Sequence, residues 1–224
     1  VEVMSQEAYS VLTDSSIAAI PLFTIMGYLL SQGSAGRRLV DIFKSLFGWF
    51  RGGTVIAAVV VTTFFTMFTG ASGVTILALG SLLTILLAGS GYKADDAHSL
   101  ITSSGALGLL FPPSVAIIMY GTTNYFAIDV FDLFKGAIIP GFILAVATII
   151  YGITKDKNID RPKFSLNAIW VAFKGSIWEL LLPILIIVTY FTGIFTIMQT
   201  AAFALVYTYI LETFIRKDFT VKES

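Results

Sequence analysis

The chain has 224 residues, of which 56% are hydrophobic and only 12% are charged, and its mean hydropathy is +0.87. Soluble domains carry about 25% charged residues, so this composition predicts an integral membrane protein. A formal net charge of zero gives no indication of nucleic-acid binding, and a sequence without cysteine excludes disulfides and thiolate metal sites. The first residues are acidic and lack the basic region of a signal peptide. Because the first residue is Val1, we expect a fragment or a processed product.

The first apolar stretches predict one spanning helix and one interfacial helix. A bilayer core of about 30 Å is crossed by about 20 apolar residues in a helix. The first candidate is Ser16–Gln32, with Pro21 near its start, where the missing N–H costs least. Residues 36–53 then alternate apolar and charged side chains at helical spacing. This pattern predicts an amphipathic helix in the membrane interface, with Trp49 at headgroup depth.

Residues 54–90 predict a helical hairpin. Two apolar stretches, 54–68 and 74–89, are each too short to cross about 30 Å comfortably. Between them stands TGASG (69–73), whose glycines and small polar residues interrupt the helix. Irregular backbone at membrane depth is tolerated only where protein buries it or a watery cavity meets it. We therefore predict a re-entrant hairpin whose tip lies inside the membrane.

Residues 99–128 predict a broken helix, interrupted by SSGALGLLFPPS (103–114). The glycines in this segment permit unusual dihedrals and close approach of the backbone. The Pro112–Pro113 pair removes two backbone donors, which predicts that the carbonyls of Gly108 and Leu109 lack helical partners.

The second part of the chain predicts three more spans. They cover 131–153, 180–195 and 199–215, and a polar loop at 154–165 leads to an amphipathic stretch before the second of them. Lys and Arg favour the cytoplasmic side of inner-membrane proteins. With an external N-terminus and a re-entrant hairpin, all 14 basic residues except Lys135 fall on that side.

The hairpin tip and the helix break together indicate a binding site. Half-helix ends and unwound carbonyls bind anions and Na⁺ in secondary transporters. The hydroxyls of Ser72 and Ser104 would add hard oxygen ligands, and no acid is predicted deep in a span, which favours Na⁺ over a proton relay. Small residues also let membrane helices pack closely, and a proline pair can be a simple kink. Either motif alone fits a binding site as well as it fits helix packing or a kink. The combination of the two motifs favours a binding site.

Several other polar residues are weaker candidates. His98 beside two acids fits a metal or catalytic site, but helix capping or solvation in a cytoplasmic loop fits better. Two glutamates flank predicted spans and are expected to snorkel or to form ion pairs. Three polar residues after the break suit polar caps better than substrate contacts. No base is placed at depth to activate a serine nucleophile, so we predict that the chain is not an enzyme. These candidates are His98 with Asp95 and Asp96, Glu179 and Glu212, and Thr122, Thr123 and Asn124.

Five segments resemble the large membrane subunit of tripartite ATP-independent periplasmic (TRAP) transporters. They are IPLFTIMGYLLSQGSAGRRLVD (20–41), FTGASGVTILALG (68–80), SSGALGLLFPPSVAIIMYG (103–121), GAIIPGFILA (136–145) and TGIFTIMQTAAFALVY (192–207). The family's large subunit is longer and carries a second hairpin and a second broken helix in an inverted repeat. The resemblance therefore implies only the N-terminal half.

The resemblance implies an all-α, multi-pass protein of the bacterial inner membrane with an ion-transporter-type elevator fold. The implied function is Na⁺-coupled secondary import of an organic acid, such as a C4-dicarboxylate or a sugar acid. The implied partners are an extracytoplasmic substrate-binding protein, a small membrane subunit and the missing C-terminal half. Residues 1–53 and 136–224, with a cytoplasmic linker at 154–178, would form scaffold, and residues 54–135 part of a transport domain.

The resemblance also implies functional residues. The Na⁺ ligands would be Gly70, Ser72, Gly73, Gly108, Leu110 and Pro113. The substrate would contact Ser72, Ser104 and Gly105. Many members carry an acid shortly after the tip, whereas residues 74–80 hold none here. A non-transporting membrane scaffold or assembly subunit, in which the Gly/Ser motifs serve helix packing, is the alternative function.

Overall fold

The computed structural model describes residues 18–70, 72–123, 130–155 and 164–219, together with Tyr9. These residues fold into helices joined by short turns, with no strand among them. The α-helices are α1 (Ala19–Gln32), α2 (Ala35–Phe47), α3 (Gly53–Thr69), α4 (Ser72–Gly89), α5 (Ala94–Gly105), α6 (Val115–Thr123), α7 (Val130–Lys155), α8 (Leu166–Phe191) and α9 (Ile197–Ile210). A 3₁₀ turn (Leu107–Leu110) follows α5, and a π-helical turn (Leu211–Ile215) follows α9.

Helix α3 lies at the centre of the described fold. It contacts α1, α2, α4, α5, α6, α7 and the 3₁₀ turn. Its side chains are apolar on every face, and buried residues occur on every face as well. A helix that is hydrophobic all round suits either a protein core or lipid, and in this structure protein surrounds α3.

Helices α3 and α4 form the predicted hairpin. At one end, the hydroxyl oxygens of Thr54 and Ser90 lie 2.9 Å apart. At the other end, those of Thr69 and Thr75 lie 3.0 Å apart. The limbs have 17 and 18 residues, longer than the sequence predicted, because the helices continue to the turn at Gly70. Helix α4 is thus long enough to span a membrane by itself, and re-entrance stays a prediction.

The hydrogen bond between Thr54 and Ser90 is expected to contribute modestly to holding the two limbs of the hairpin together. Thr54→Val removes the bond without changing the shape, while Ser90 keeps its bond to the Leu86 carbonyl. We expect a loss of about 1 kcal/mol in unfolding free energy, the usual net value of one hydrogen bond. Titration with SDS in detergent micelles would measure it. Thr192→Val, at an exposed hydroxyl that bonds only its own helix, is the control and should have less effect; equal effects would contradict the prediction.

The predicted helix break is confirmed. Helix α5 ends at Gly105, the 3₁₀ turn follows, and α6 begins at Val115 after a cis Pro112–Pro113 peptide. Helix α5 begins at Ala94, before the predicted residue 99, and two acids in its first turn stabilise that start through the helix dipole. Residues 124–128 of the predicted broken helix lie outside the described residues.

Helix α2 is amphipathic as predicted, but it ends at Phe47 rather than at residue 53. The following turn includes Gly52, whose φ of 79° ends the segment in a left-handed conformation that favours glycine. The buried face of α2 packs against α3 and α8. Its apolar stripe therefore serves protein packing, while Trp49 stays 47% exposed at its end.

Helix α8 joins two predicted elements. The amphipathic stretch and the span at 180–195 form one 26-residue helix, which begins where the Ser165 hydroxyl accepts the N–H of Ala168. No proline precedes Pro183 within the helix, so nothing in the local sequence ends it at residue 179. Glu179 consequently lies inside this long helix rather than beside a span, where the sequence analysis placed it.

Among the described residues, four helices are long and apolar enough to cross a membrane: α4, α7, α8, and α9 together with its π-helical turn. Only 11% of the most apolar window of α7 is buried, so most of this helix presents apolar side chains outward. These features agree with the predicted all-α membrane protein.

Candidate cation and substrate site at the hairpin tip

The hairpin tip meets the helix break, as the sequence analysis predicted. Gly70 has a φ of 64°, and a Cβ added there would lie 2.5 Å from the Cβ of Val115. Val115 is the first residue of α6, directly after the double proline and Ser114. Only a glycine permits both this conformation and this approach. The tip is therefore held against the N-terminus of α6.

The 3₁₀ turn lies directly on the backbone of α3. A Cβ added at Gly108 would overlap the carbonyl oxygen of Thr63. It would also lie 2.5 Å from the backbone nitrogen of Met67 and 2.6 Å from the Cβ of Thr66. Glycine is thus required at position 108 so that the break can reach the first limb of the hairpin.

One predicted free carbonyl is not free. The Gly108 carbonyl accepts the N–H of Phe111 at 3.1 Å, because the 3₁₀ turn forms i→i+3 bonds before the prolines begin. For the Leu109 carbonyl, both residues that would donate to it in a helix are prolines, and its availability stays a prediction. The break thus offers fewer open carbonyls than the sequence indicated.

Two threonine hydroxyls beside the break lack partners, and the sequence analysis missed them. The Oγ1 atoms of Thr63 and Thr66 are buried, and no hydrogen-bond partner reaches them within the described residues. Thr66 is fully buried, and its Cβ faces Gly108. A buried polar group without a partner calls for an explanation, and hydroxyl oxygens next to unwound backbone suit a hard cation such as Na⁺. The run TTFFT (62–66) carried the only sequence signal.

The predicted substrate residues occupy different positions. The carbonyl oxygen of Ser72 lies 3.8 Å from where a Cβ on Gly105 would stand, so these two residues are neighbours. Ser104 points instead toward α3: its hydroxyl accepts from Thr62 at 2.9 Å and donates to the Ile101 carbonyl at 3.1 Å. The structure therefore brings Ser72 and Gly105 together, with the Ser104 hydroxyl already partnered inside the protein.

The remaining predicted cation ligands are Gly73, Leu110 and Pro113. Gly73 is exposed, and a Cβ there would meet nothing within 4 Å. Leu110 packs toward α7, with its Cβ 3.2 Å from where a Cβ on Gly141 would lie. Pro113 is buried beside the turn. The side chains of Leu110 and Pro113 hold no ligand atoms, so any contribution from these two residues comes from their backbone carbonyls.

The structure favours the solvation interpretation for His98. Its side chain is exposed, and Asp96 pairs with Lys155 at 3.2 Å. Within the described ranges, no group of three His, Cys, Asp or Glu residues is arranged to hold a metal ion. Asn124 lies outside the described residues, as do the side chains of Thr122 and Thr123.

Away from the tip, Glu179 forms the predicted ion pairs. It is fully buried, and its carboxylate accepts from Arg38 at 2.8 Å and from Arg216 at 2.8 and 2.9 Å. Oδ2 of Asp218 lies 3.8 Å from Nη2 of Arg38. Burial alone would raise the pKa of the Asp218 carboxyl, but hydrogen bonds with the hydroxyl and N–H of Ser34 and with the Glu212 carboxyl, together with the charge of Arg38, hold that pKa below its ordinary value.

These features define a multi-pass, all-α membrane protein with a helical hairpin packed against a broken helix. The family model of the tripartite ATP-independent periplasmic transporter, DctM component, matches residues 1–224, and the chain belongs to this family.

Curated relatives agree with this family assignment. The chain is 32% identical over 206 residues to the C4-dicarboxylate TRAP transporter large permease protein DctM of Vibrio cholerae, an alignment that covers 91% of the chain and 45% of the relative. It is 29% identical over 222 residues to the permease of the same name from Rhodobacter capsulatus, with 92% and 50% covered. The 2,3-diketo-L-gulonate TRAP transporter large permease protein YiaN of Escherichia coli is 27% identical over 223 residues, with 98% and 52% covered.

The chain spans about half the length of these relatives. This agrees with the prediction of one half of a TRAP large permease, and the family resemblance is confirmed. Family membership and the four apolar helices identify a multi-pass integral protein of the bacterial inner membrane. The relatives are named as transporter permeases, which bears out the prediction that the chain is not an enzyme.

Proposed function

We propose that the chain forms half of the large permease of a transporter that imports an organic acid, coupled to Na⁺, by an elevator mechanism. One observation carries the proposal: the hairpin tip at Gly70 abuts the start of α6 at Val115, beside the buried, unpartnered hydroxyl of Thr66. Backbone from two interrupted elements thus meets hydroxyl oxygen at one place, as in transporters built from broken helices.

The proposed Na⁺ ligands are those of the sequence analysis, with Thr66 added. The sequence from Gly70 to Gly80 contains no carboxylate, so the oxygens available there come from backbone and hydroxyl groups. Neutral oxygen ligands hold a hard cation without needing a proton, which supports Na⁺ as the coupling ion. Two close contacts support this position: Gly70 of the tip lies against Val115, and Gly108 of the 3₁₀ turn lies against Thr66.

The proposed substrate is a small organic acid. The names of relatives mention C4-dicarboxylate, isethionate, 2,3-diketo-L-gulonate and ectoine, which are all small molecules with an acidic group. An anion would find N–H groups at the N-terminal end of α4, where Ser72 and Gly73 are the first helical residues. The proposed partners are a substrate-binding protein outside the membrane, a small membrane subunit and the rest of the large permease.

The proposed coupling is thermodynamic. Na⁺ bound between the tip and the break would hold the tip in the arrangement that binds the anion, and the anion would raise the affinity for Na⁺ by the same factor. The proposed elevator motion would carry residues 54–135 past the scaffold. Helix α1 of the proposed scaffold and the hairpin tip of the proposed moving part are in close contact in this structure. A Cβ at Gly27 would lie 2.8 Å from the backbone nitrogen of Thr69.

The test measures substrate affinity of the assembled transporter in NaCl and in choline chloride at equal ionic strength. Wild-type protein should bind the substrate more tightly in NaCl. Thr66→Val removes the hydroxyl and keeps the shape, so the Na⁺ concentration needed for half-maximal binding should rise about tenfold, the equivalent of about 1.4 kcal/mol.

The matched control is Thr148→Val. Thr148 lies on α7, and its hydroxyl bonds the Leu144 carbonyl of its own helix. This variant should keep the wild-type Na⁺ dependence. Equal wild-type affinity in the two salts would reject Na⁺ coupling. A normal response of Thr66→Val would reject the proposed role of Thr66.

A further inference from the structure

A polar cleft lies between α2 and the first half of α8, away from the hairpin tip. The two helices run antiparallel, as contacts at both ends of the cleft show. At one end, the Ser176 hydroxyl donates to the carbonyl of Arg38 at 2.9 Å. At the other end, the rings of Trp49 and Phe164 have their centroids 5.5 Å apart. The cleft has a volume of about 580 Å³, within the range of small-ligand pockets, about 300–1,000 Å³.

The walls of the cleft differ in chemistry. Helix α2 contributes Arg38, Asp41 and Ser45, which share one face of the helix because they are three and four residues apart. Helix α8 contributes hydroxyl, amide and small side chains, among them Gly175. A Cβ added at Gly175 would meet no atom within 4 Å, so the cleft is open at this point.

Asp41 is an acid without a counter-charge in this cleft. Arg38 lies three residues before it but donates from Nη1 to Glu179 at 2.8 Å instead. Nη2 of Arg38 lies 3.8 Å from Asp218, beyond hydrogen-bond distance, so the guanidinium keeps N–H groups that are free to donate. Within the described ranges, the Asp41 side chain forms no ion pair and no hydrogen bond. The cleft therefore presents free donors beside an unpaired carboxylate.

The positions of the tryptophans indicate that the cleft lies at the membrane interface. All three tryptophans of the chain stand on α8 or just after α2, and each is more than 40% exposed: Trp49, Trp170 and Trp178. Tryptophan is enriched at the level of the lipid headgroups. The second half of α8, residues 180–191, carries no charged side chain. The Arg38 end of the cleft therefore faces the membrane core, and Asp41 lies nearer the water.

An apolar flank leads from the cleft toward that second half of α8. Val171 lines the cleft and is exposed. Trp178 follows it by seven residues, so both side chains lie on the same side of the helix, and Trp178 is exposed as well. A ligand whose polar group occupies the cleft would thus find apolar surface on the side toward the membrane core.

We propose that this cleft binds the headgroup of one phosphatidylethanolamine molecule, with its phosphate at Arg38 and its ammonium at Asp41. In this lipid the phosphate lies nearer the acyl chains and the ammonium nearer the water, which is the order of the two side chains. Side chains three residues apart on a helix have Cβ atoms about 5–6 Å apart, a spacing that suits two charges joined by two carbons. Phosphatidylglycerol offers the same phosphate but no cation for Asp41. The bound lipid joins α2 to α8.

The experiment measures lipid binding to the detergent-purified transporter that carries this chain, by native mass spectrometry and by the shift in unfolding temperature. The probes are dioleoylphosphatidylethanolamine, dioleoylphosphatidylglycerol and soluble O-phosphoethanolamine. Wild-type protein should bind the first lipid more tightly than the second, and the soluble headgroup should stabilise it little. Asp41→Asn should lower the affinity for phosphatidylethanolamine about tenfold, the scale of one hydrogen bond between charged groups, without weakening the binding of phosphatidylglycerol.

Two leucine variants provide the matched comparison. Gly175→Leu fills the cleft and should lose one bound phosphatidylethanolamine. Gly136→Leu makes the same change on α7, also with no atom within 4 Å of the added Cβ, and should bind the lipid as wild type does.

Equal phosphatidylethanolamine binding in the two leucine variants would overturn the proposal. So would an unchanged affinity in Asp41→Asn, or wild-type protein that binds phosphatidylglycerol as tightly as phosphatidylethanolamine or more tightly. If O-phosphoethanolamine stabilised the protein as much as the lipid does, the ligand would be a soluble phosphate ester and the lipid would be rejected. None of these measurements depends on Na⁺ or on transport, so they leave the proposal for the hairpin tip untouched.

Discussion

Gly108→Ala is expected to destabilise the fold by about 1–3 kcal/mol, the usual cost of forcing extra volume into a packed interior. The added Cβ would meet the Thr63 carbonyl and the Met67 backbone nitrogen, and backbone atoms of an enclosed helix cannot move aside. We expect the 3₁₀ turn to be displaced from α3, with loss of transport in the assembled transporter. Unfolding in SDS and an uptake assay would measure the two effects.

Gly73→Ala is the matched control, because it makes the same chemical change in open space. No atom lies within 4 Å of the added Cβ, and alanine favours a helix over glycine by about 1 kcal/mol. This variant should be as stable as wild type or more so. If both variants lost stability equally, the cost at Gly108 would come from backbone conformation rather than from its contact with α3.

Glu179→Ala is expected to cost about 3–5 kcal/mol, because it leaves two arginines near the protein interior without their shared carboxylate. Arg216 donates to both oxygens of Glu179, and Arg38 donates to one of them. The side chains of Arg216 and Arg38 are only 17% and 23% exposed, so water would solvate their charges poorly once the carboxylate is removed. The unfolding free energy in mixed micelles would report the loss.

Asp132→Ala provides the comparison. Asp132 pairs with Lys135 at 2.9 Å, but both side chains are more than half exposed, and such pairs contribute about 0–1 kcal/mol. A similar small loss for Glu179→Ala would show that α2, α8 and the end of α9 are held together by apolar packing alone. Glu179→Gln, which keeps one acceptor oxygen, should fall between the two.

The hairpin and the helix break were predictable because their signals are local. Gly70 and the Pro112–Pro113 pair limit the backbone within a few residues, whatever surrounds them. Their meeting was also predicted, and the structure places Gly70 against Val115. The exact hydrogen bonds were not: the Gly108 carbonyl was expected to be free, but the chain tightens into a 3₁₀ turn and bonds it to Phe111.

The threonine at the break could not be recognised from the sequence. Threonine in a membrane helix usually bonds a carbonyl of its own helix, as Thr148 and Thr189 do. In a run of apolar residues, Thr66 looked the same as these. Only packing against Gly108, more than 40 residues later, distinguishes a hydroxyl without a partner from an ordinary one. The approach of Glu212 to Gly33 depends in the same way on contacts distant in sequence.

The enclosed position of α3 has a consequence for biogenesis. The ribosome synthesises α3 before α5, the 3₁₀ turn and α7, which later cover it. If α3 enters the membrane as the predicted hairpin requires, it does so before most of the helices that finally pack against it have been synthesised. Its predominantly apolar surface lets it remain in lipid during that interval. Its four threonines between residues 62 and 69 are only weakly polar, so their exposure to lipid costs little. An acid at the same place would offer the proposed cation a charged ligand, but it would make insertion of the nascent helix far more difficult.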